Sequence, residues 1–295
     1  MGVTAAPVAD RPLLAAVWMI GAIVAFTSMA VAGRSVAHEL DTFELMMYRS
    51  LLGFAIVMTV AGATGHLHEI TTRHLHLQVL RNIFHFTGQN LWFYALGFIP
   101  LAHLFALEFT SPLWVMLLAA IFLGEQLTRI KGIAAGLAFI GVLLIVRPQI
   151  DAINIGHITA ALSAIGFAIT AIFTKKLTRT ETITCILFYL TLVQLVLGVL
   201  AAGYDGDIAV PSGQTAPWVL LVAIAGLVAH FCLTTALRYA PASMVMPMDF
   251  VRLPVIAVVG FALYQEPLEA IVIFGAGLIL TANWMNIRSG LRPVK

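Results

Sequence analysis

The chain has 295 residues, 61% of them apolar and only 10% charged, with a formal net charge of +2. A soluble globular protein is about 45–50% apolar and about 25% charged, so the composition excludes that class and defines an integral membrane protein. The net charge is too small to suggest nucleic acid as a partner, and the two cysteines, Cys185 and Cys232, lie in apolar runs without metal-type spacing.

A spanning helix needs about 20 mostly apolar residues. Ten segments qualify, over roughly 12–32, 42–62, 79–98, 101–123, 130–147, 155–176, 182–203, 217–239, 242–264 and 269–287. They lack the alternating polarity of membrane-barrel strands. The longest connections, 63–78 and 204–216, hold no soluble domain. The first run has Arg11 before it and ends in small residues, as a signal peptide would; the internal repeat described below argues that it is a retained span. With the N-terminus in the cytoplasm, twelve of the 16 Lys and Arg fall on the inner side. Arg34 and Arg147 fall outside, and Arg49 and Arg252 lie within spans. That asymmetry places both termini inside.

Ionisable groups at membrane depth are functional candidates, because a charge facing lipid is costly. Bonding between helices is the competing reading for each. The second segment holds Tyr48 and Arg49. The connection after it, GHLHEITTRHLHL, carries His66, His68, His74 and His76. Four imidazoles invite a metal reading, but no cysteine accompanies them and histidines also suit a headgroup interface, so no metal ligand is assigned. The third segment, RNIFHFTGQNLWFYAL, spaces Arg81, His85, Gln89 and Trp92 by four, four and three, which puts them on one face. Asn90 lies about 100° away. A cation, an imidazole, an amide and an indole on one face suit a flat polar ligand. Snorkelling explains Arg81 equally well.

The fourth segment, HLFALEFTSPLWVMLLAAIFLGE, sets Glu108 and Ser111 one turn apart on a mostly apolar stripe, with His103 near its outer end. Pro112 deletes a backbone donor and frees a carbonyl near Glu108, a break tolerated where it is buried in protein or lines water. No basic residue neighbours Glu108 on its own helix. Arg49, the basic residue deep in the first half, is its expected partner, and a structural salt bridge and a substrate role remain compatible. In the fifth segment Gly132 and Gly136 are read as close-packing positions. Tyr189 and Gln194 in the seventh, His230 in the eighth and Asn283 in the tenth are weaker candidates. The ninth, MPMDFVRLP, brackets Asp249 and Arg252 between two prolines, one turn apart, as an intrahelical pair. Glu125 and Glu266 end the fourth and ninth segments and are read as structural, against the amide dipoles of the next turn.

The chain contains itself twice. Shifted by 141 positions, YALGFIPLAHLFALEF (94–109) falls on TALRYAPASMVMPMDF (235–250): Pro100 meets Pro241, Glu108 meets Asp249 and Phe109 meets Phe250. Glu125 meets Glu266, Tyr48 meets Tyr189 and Arg34 meets Lys175, whereas Arg49 meets Leu190. The halves, 1–149 and 150–295, have five helices each. Five is odd, so the second half enters from the opposite side. The fold expected is ten transmembrane helices in two inverted five-helix repeats, an architecture typical of secondary transporters.

Two five-helix halves, the IPLAHLFALEFTSPLWVMLLAAIFLGE segment and the GIAAGLAFIGVLLIVRP helix after it together resemble the drug/metabolite transporter superfamily in its EamA type. The likeness covers nearly the whole chain. It weakens in the second half, where Gln265 stands in the place of Gly124. The resemblance implies a central cavity and transport of small organic metabolites without a bound cofactor. Similar members handle amino acids, S-adenosylmethionine or riboflavin, and the aromatic FHFTGQNLWFYAL stretch resembles the riboflavin and S-adenosylmethionine branch.

The function expected is a secondary transporter working by alternating access in a bacterial-type inner membrane. Its partners are a small-molecule substrate and the lipid bilayer, and the chain is a monomer or homodimer. The candidate substrate-binding residues are Arg49, His85, Gln89, Trp92, Glu108, Ser111, His230, Asp249 and Arg252. An intramembrane enzyme is the alternative from another class, but no H-E-x-x-H, nucleophile elbow or P-loop is present. A channel or scaffold is a further one.

Overall fold

The computed structural model describes residues 11–291 apart from 37, 97, 100, 148–152, 205 and 265–268. Among the described residues every regular element is helical. The first half contains α1 (Pro12–Val36), α2 (Thr42–Ala63), α3 (Leu75–Leu96), α4 (Leu101–Glu108), α5 (Ser111–Leu123) and α6 (Arg129–Val146). The second contains α7 (Ile155–Leu177), α8 (Ile183–Ala202), α9 (Ala216–Tyr239), α10 (Ala242–Val245), α11 (Arg252–Tyr264) and α12 (Ala270–Gly290). Taking α4 with α5 and α10 with α11 as single spans gives ten.

Nine spans among the described residues are long and apolar enough to cross a membrane. The tenth, α3, has 22 residues, and its amide, imidazole and guanidinium groups lower its hydropathy. It begins at Leu75, four residues before the reading from sequence. Gln78 there is fully buried, so polarity marked an inward face and not a loop. The chain ends its helices with local chemistry. Asp41 and Glu44 form a reciprocal capping box on α2, Thr128 and Thr182 cap α6 and α8, and Gly124 closes α5 in the left-handed region at φ 68°. Ile121, Phe122, Leu200 and Phe274 stay exposed, which suits a lipid-facing surface and no aqueous one.

The four most extensive helix pairings all join the two halves: α1 with α9, α3 with α7, α2 with α8 and α6 with α12. Under the 141-residue shift α1 becomes α7 and α3 becomes α9, so the first two pairings are one contact made twice. The other two pair each helix with its own counterpart and straddle the pseudo-twofold axis. Backbones come close at these crossings. A Cβ on Gly141 would sit 2.7 Å from the Gly275 carbonyl oxygen, between α6 and α12. One on Gly166 would sit 3.2 Å from the Cα of Gly88, between α7 and α3. Gly132 and Gly136 do not have the packing role expected from sequence. Nothing lies within 4 Å of a Cβ built on either, because both face outward.

Candidate functional site

Each half breaks its fourth helix at the same place. In the first, α4 ends at Glu108 and α5 starts at Ser111, with Pro112 in its first turn. The proline ring has no N–H and would meet the carbonyl of Glu108, four residues back, if the helix ran through. In the second, α10 gives way to a tight 3-10 stretch, Met246–Val251, which contains Pro247, before α11 begins at Arg252. Phe109 and Phe250, equivalent in the repeat, meet with ring centres 6.0 Å apart.

The two acids at these breaks share one cation. Arg252 Nη2 donates to Glu108 Oε1 at 2.7 Å and to Asp249 Oδ2 at 2.9 Å. Trp92 Nε1 donates to the other oxygen of Glu108 at 2.8 Å. All three charged side chains are largely buried, and the guanidinium lies 5.2 Å from the centre of the Phe109 ring and 5.7 Å from that of Phe26. The intrahelical Asp249–Arg252 pair expected from sequence is present. The expected Glu108–Arg49 pair is not. The first half's acid takes its cation from the second half, because the pseudo-twofold brings the two breaks together and places Arg252 between both carboxylates. Spacing along one chain cannot report that approach.

Arg49 instead opens a ladder of amides. Its Nη2 donates to Gln89 Oε1 at 2.9 Å, Gln89 Nε2 donates to Gln194 Oε1 at 3.1 Å, and Gln194 Nε2 donates to the Asn82 carbonyl at 3.1 Å. Asn82 Nδ2 goes on to the Tyr189 carbonyl. Beside the ladder the His85 ring stands edge-on to His230, with centres 5.0 Å apart, and His230 in turn faces Phe26 at 5.6 Å. Phe26 therefore touches both the imidazole pair and Arg252. A cavity of about 20 Å³ is bordered by Arg49, Gln194, Gly226 and His230, room for roughly one water. A wider groove between α3 and α8, about 380 Å³, is lined by Leu75, Val79, Ile83 and Val196 among others and offers no polar surface. It lies on the lipid-facing side, away from the charged groups.

The face read on α3 is real as a buried stripe. Arg81, His85 and Gln89 are all under a tenth exposed, and Arg81 Nε donates to Thr174 Oγ1 at 2.6 Å. Ser111 is buried with an unpartnered hydroxyl; it occupies the position that Arg252 holds in the other half. Sequence reasoning missed Asn82 and Phe26. Asn82 carried a signal, as an amide deep in an apolar run. Phe26 carried none, since its role depends on what α9 and α11 bring to it.

Other candidates have local partners. Tyr48 donates to the Ala209 carbonyl at 2.9 Å and Asn283 to the Ile279 carbonyl of its own helix. His103 and His157 contact each other at 3.1 Å. His74 Nδ1 lies 2.6 Å from Glu181, and among the described residues no group of three or more ligand-type side chains converges as a metal site would. Glu125 receives the backbone amides of Ala242 and Ser243 at 2.8 and 2.9 Å, so it caps a helix of the other half and not the turn that follows it. Glu266 and Gln265 lie outside the described residues.

Ten spans in two inverted halves, with both discontinuous helices meeting at a shared ion cluster, define a multi-pass membrane protein of the inverted-repeat kind. The pattern of the EamA-like transporter family matches residues 13–147 and again 154–288. The chain belongs to the EamA-like transporter family. It is 30% identical to a riboflavin transporter of Rhizobium johnstonii, over 96% of this chain and 94% of that one. It is 23% identical to an S-adenosylmethionine uptake transporter of Rickettsia felis, over 92% of each. A solved crystal structure at 15% identity superimposes with a TM-score of 0.80 over 94% of this chain and 99% of its own, which shows the fold alone.

Proposed function

We propose that the protein is a secondary transporter that carries a small organic metabolite across a bacterial-type inner membrane by alternating access, with both termini in the cytoplasm. Residues 1–149 and 150–295 act as the two inverted halves. Arg49, His85, Gln89, Trp92, Glu108, Ser111, His230, Asp249 and Arg252 line the substrate path. One observation supports this most: Glu108 and Asp249, at the matched breaks of the two halves, share Arg252. A charged centre that spans both halves changes its contacts when the halves rock against each other, and discontinuous helices near the midplane are where inverted-repeat carriers hold their cargo. The charges sit where a water-filled path would stabilise them and lipid would not. The names of the relatives support a small metabolite as cargo.

Purified protein in liposomes preloaded with unlabelled riboflavin or S-adenosylmethionine tests this. A carrier gives saturable uptake of the labelled compound that is stimulated by the same compound inside. Linear, unsaturable flux would indicate a channel and overturn the proposal.

A further inference from the structure

Resting on that transporter reading, we propose that Arg49, Arg81, His85 and His230 form a subsite for an oxyanion, a carboxylate or phosphate group carried by the transported compound. Arg49 and Arg81 are buried, on α2 and α3. Their partners are neutral: Gln89 for Arg49 and Thr174 for Arg81. Neither has a carboxylate partner among the described residues. A buried guanidinium without a counter-anion is strongly unfavourable. Arg81 Nη1 and both ring nitrogens of His85 also lack any hydrogen-bond partner among the described residues, and the His85 and His230 rings stand edge-on with centres 5.0 Å apart. Arg49 and His230 border the small cavity. The unspent Arg81 Nη1 and the single N–H that a neutral His85 imidazole carries, together with the Arg49 guanidinium, match the acceptor-rich edge of a carboxylate or phosphate.

The repeat shows that the fold itself does not require this cluster. Shifted by 141 positions, Arg49 becomes Leu190, Arg81 becomes Val222 and His85 becomes Gly226. The tyrosines 48 and 189 and the acids 108 and 249 are repeated, whereas these cations are not. Charge points the same way. Two carboxylates around Arg252 leave one negative charge, and the two arginines bring two positive ones, so a single negative charge on the ligand's oxyanion group brings these residues to neutrality. Gln89, bonded to Arg49, and Trp92, bonded to Glu108, are three residues apart on α3, about 4.5 Å of helix rise. An anionic group held at Arg49 therefore leaves the rest of the ligand among the rings of Trp92, Phe26 and Phe109.

Two matched probe pairs test the subsite on the purified full-length protein, read as ligand-dependent shifts in thermal unfolding. Riboflavin against riboflavin 5′-phosphate differs by a phosphate. Decarboxylated S-adenosylmethionine against S-adenosylmethionine differs by a carboxylate, so the pair that responds identifies the anion. In at least one pair the oxyanion-bearing member should bind roughly tenfold tighter or more. Arg49→Gln and Arg81→Gln should shrink that preference, and Arg49→Lys, which keeps the charge and loses the fork, should retain part of it. The wild-type comparison decides the matter even where a Gln variant does not fold. Equal or weaker binding of the anionic member in both pairs, no binding of either anionic probe, or a preference unchanged in folded Gln variants would overturn the subsite. Counterflow separates the two readings: anion-selective binding without counterflow sinks the carrier and leaves the subsite, and equal counterflow within each pair does the reverse.

Discussion

Glu108 and Asp249 occupy equivalent positions in the two halves, and a single guanidinium, Arg252, holds both, at 2.7 and 2.9 Å. The position equivalent to Arg252 in the first half is Ser111, so the pseudo-symmetry of the backbone carries an asymmetric charge. Removing the cation leaves two adjacent buried carboxylates without compensation.

Arg252→Gln should therefore destabilise the purified protein by roughly 3–5 kcal/mol, and Glu108→Gln by less. In a double-mutant cycle on thermal unfolding, Glu108→Gln and Arg252→Gln should couple by about 0.5–3 kcal/mol, while Glu108→Gln and Arg49→Gln should add to within about 0.5 kcal/mol. Strong coupling of Glu108 to Arg49 would contradict the pairing described above.

Trp92→Phe keeps an aromatic ring and removes the donor to Glu108. A hydrogen bond to a charged group contributes about 1.5–3 kcal/mol, so a loss in that range is expected, with a fall in transport at equal expression. Phe84 stacks on Phe173 with ring centres 6.0 Å apart, away from the carboxylate. Phe84→Leu should affect stability but leave the transport rate per folded molecule close to wild type.

Gly141→Val should be among the most damaging glycine changes, since a Cβ alone would lie 2.7 Å from the Gly275 carbonyl and 2.8 Å from an Ile279 side-chain carbon. Overpacking of this kind costs about 1–3 kcal/mol or more. Gly136→Ala meets nothing within 4 Å and should hold or raise the unfolding temperature, as Ala favours helix over Gly by about 1 kcal/mol.

Cysteines introduced singly at Gly213 and Thr72 test the orientation. Both positions are exposed, in the connections after α8 and α2, and the native Cys185 and Cys232 are buried. In intact cells an impermeant maleimide should label the Gly213→Cys protein and spare Thr72→Cys. The opposite pattern would invert the orientation assigned here, and equal labelling would place both connections on one side.

The connection after α8 is latched by Glu39, in the turn between α1 and α2, which accepts from Ser212 and from the Thr215 hydroxyl. These bonds, Thr215 first, hold its pKa below the usual carboxylate value of about 4.5. A depressed folded pKa means the contribution is fully present above about pH 4.5 and is lost as pH falls through the lower folded value. Amide exchange at Ser212, compared at pH 6 and pH 3.5 after correction for intrinsic rates, should show protection lost at the acid end. Glu39→Gln should show weaker and pH-independent protection. At the opposite end Glu181 accepts from Thr71 and pairs with His74, and Thr71 and His74 are the repeat equivalents of Ser212 and Thr215. The donor positions are thus repeated, while the accepting glutamates are displaced by one residue, since the shift carries Glu39 onto Thr180 and Leu40 onto Glu181.

The membrane class, the spans, the inverted repeat and the buried polar face of α3 follow from composition, hydropathy and a constant 141-residue offset. These are properties of order along the chain: apolar run length must match the bilayer, and side chains four apart must share a helix face. The Asp249–Arg252 pair was legible for the same reason, being one turn apart. What only the tertiary structure decided was which half compensates Glu108. It also set Arg49 on Gln89 in place of a carboxylate, chose Gly141 and Gly275 as the close crossing, and turned Gly132 and Gly136 outward. The shared cation and the glycine crossing depend on how helices from opposite halves approach across the pseudo-twofold axis, and the Arg49–Gln89 bond on how α2 meets α3 within the first half. Contact energies there are set by distances of a few ångströms between residues 40 to 144 positions apart, and no spacing along one helix encodes them.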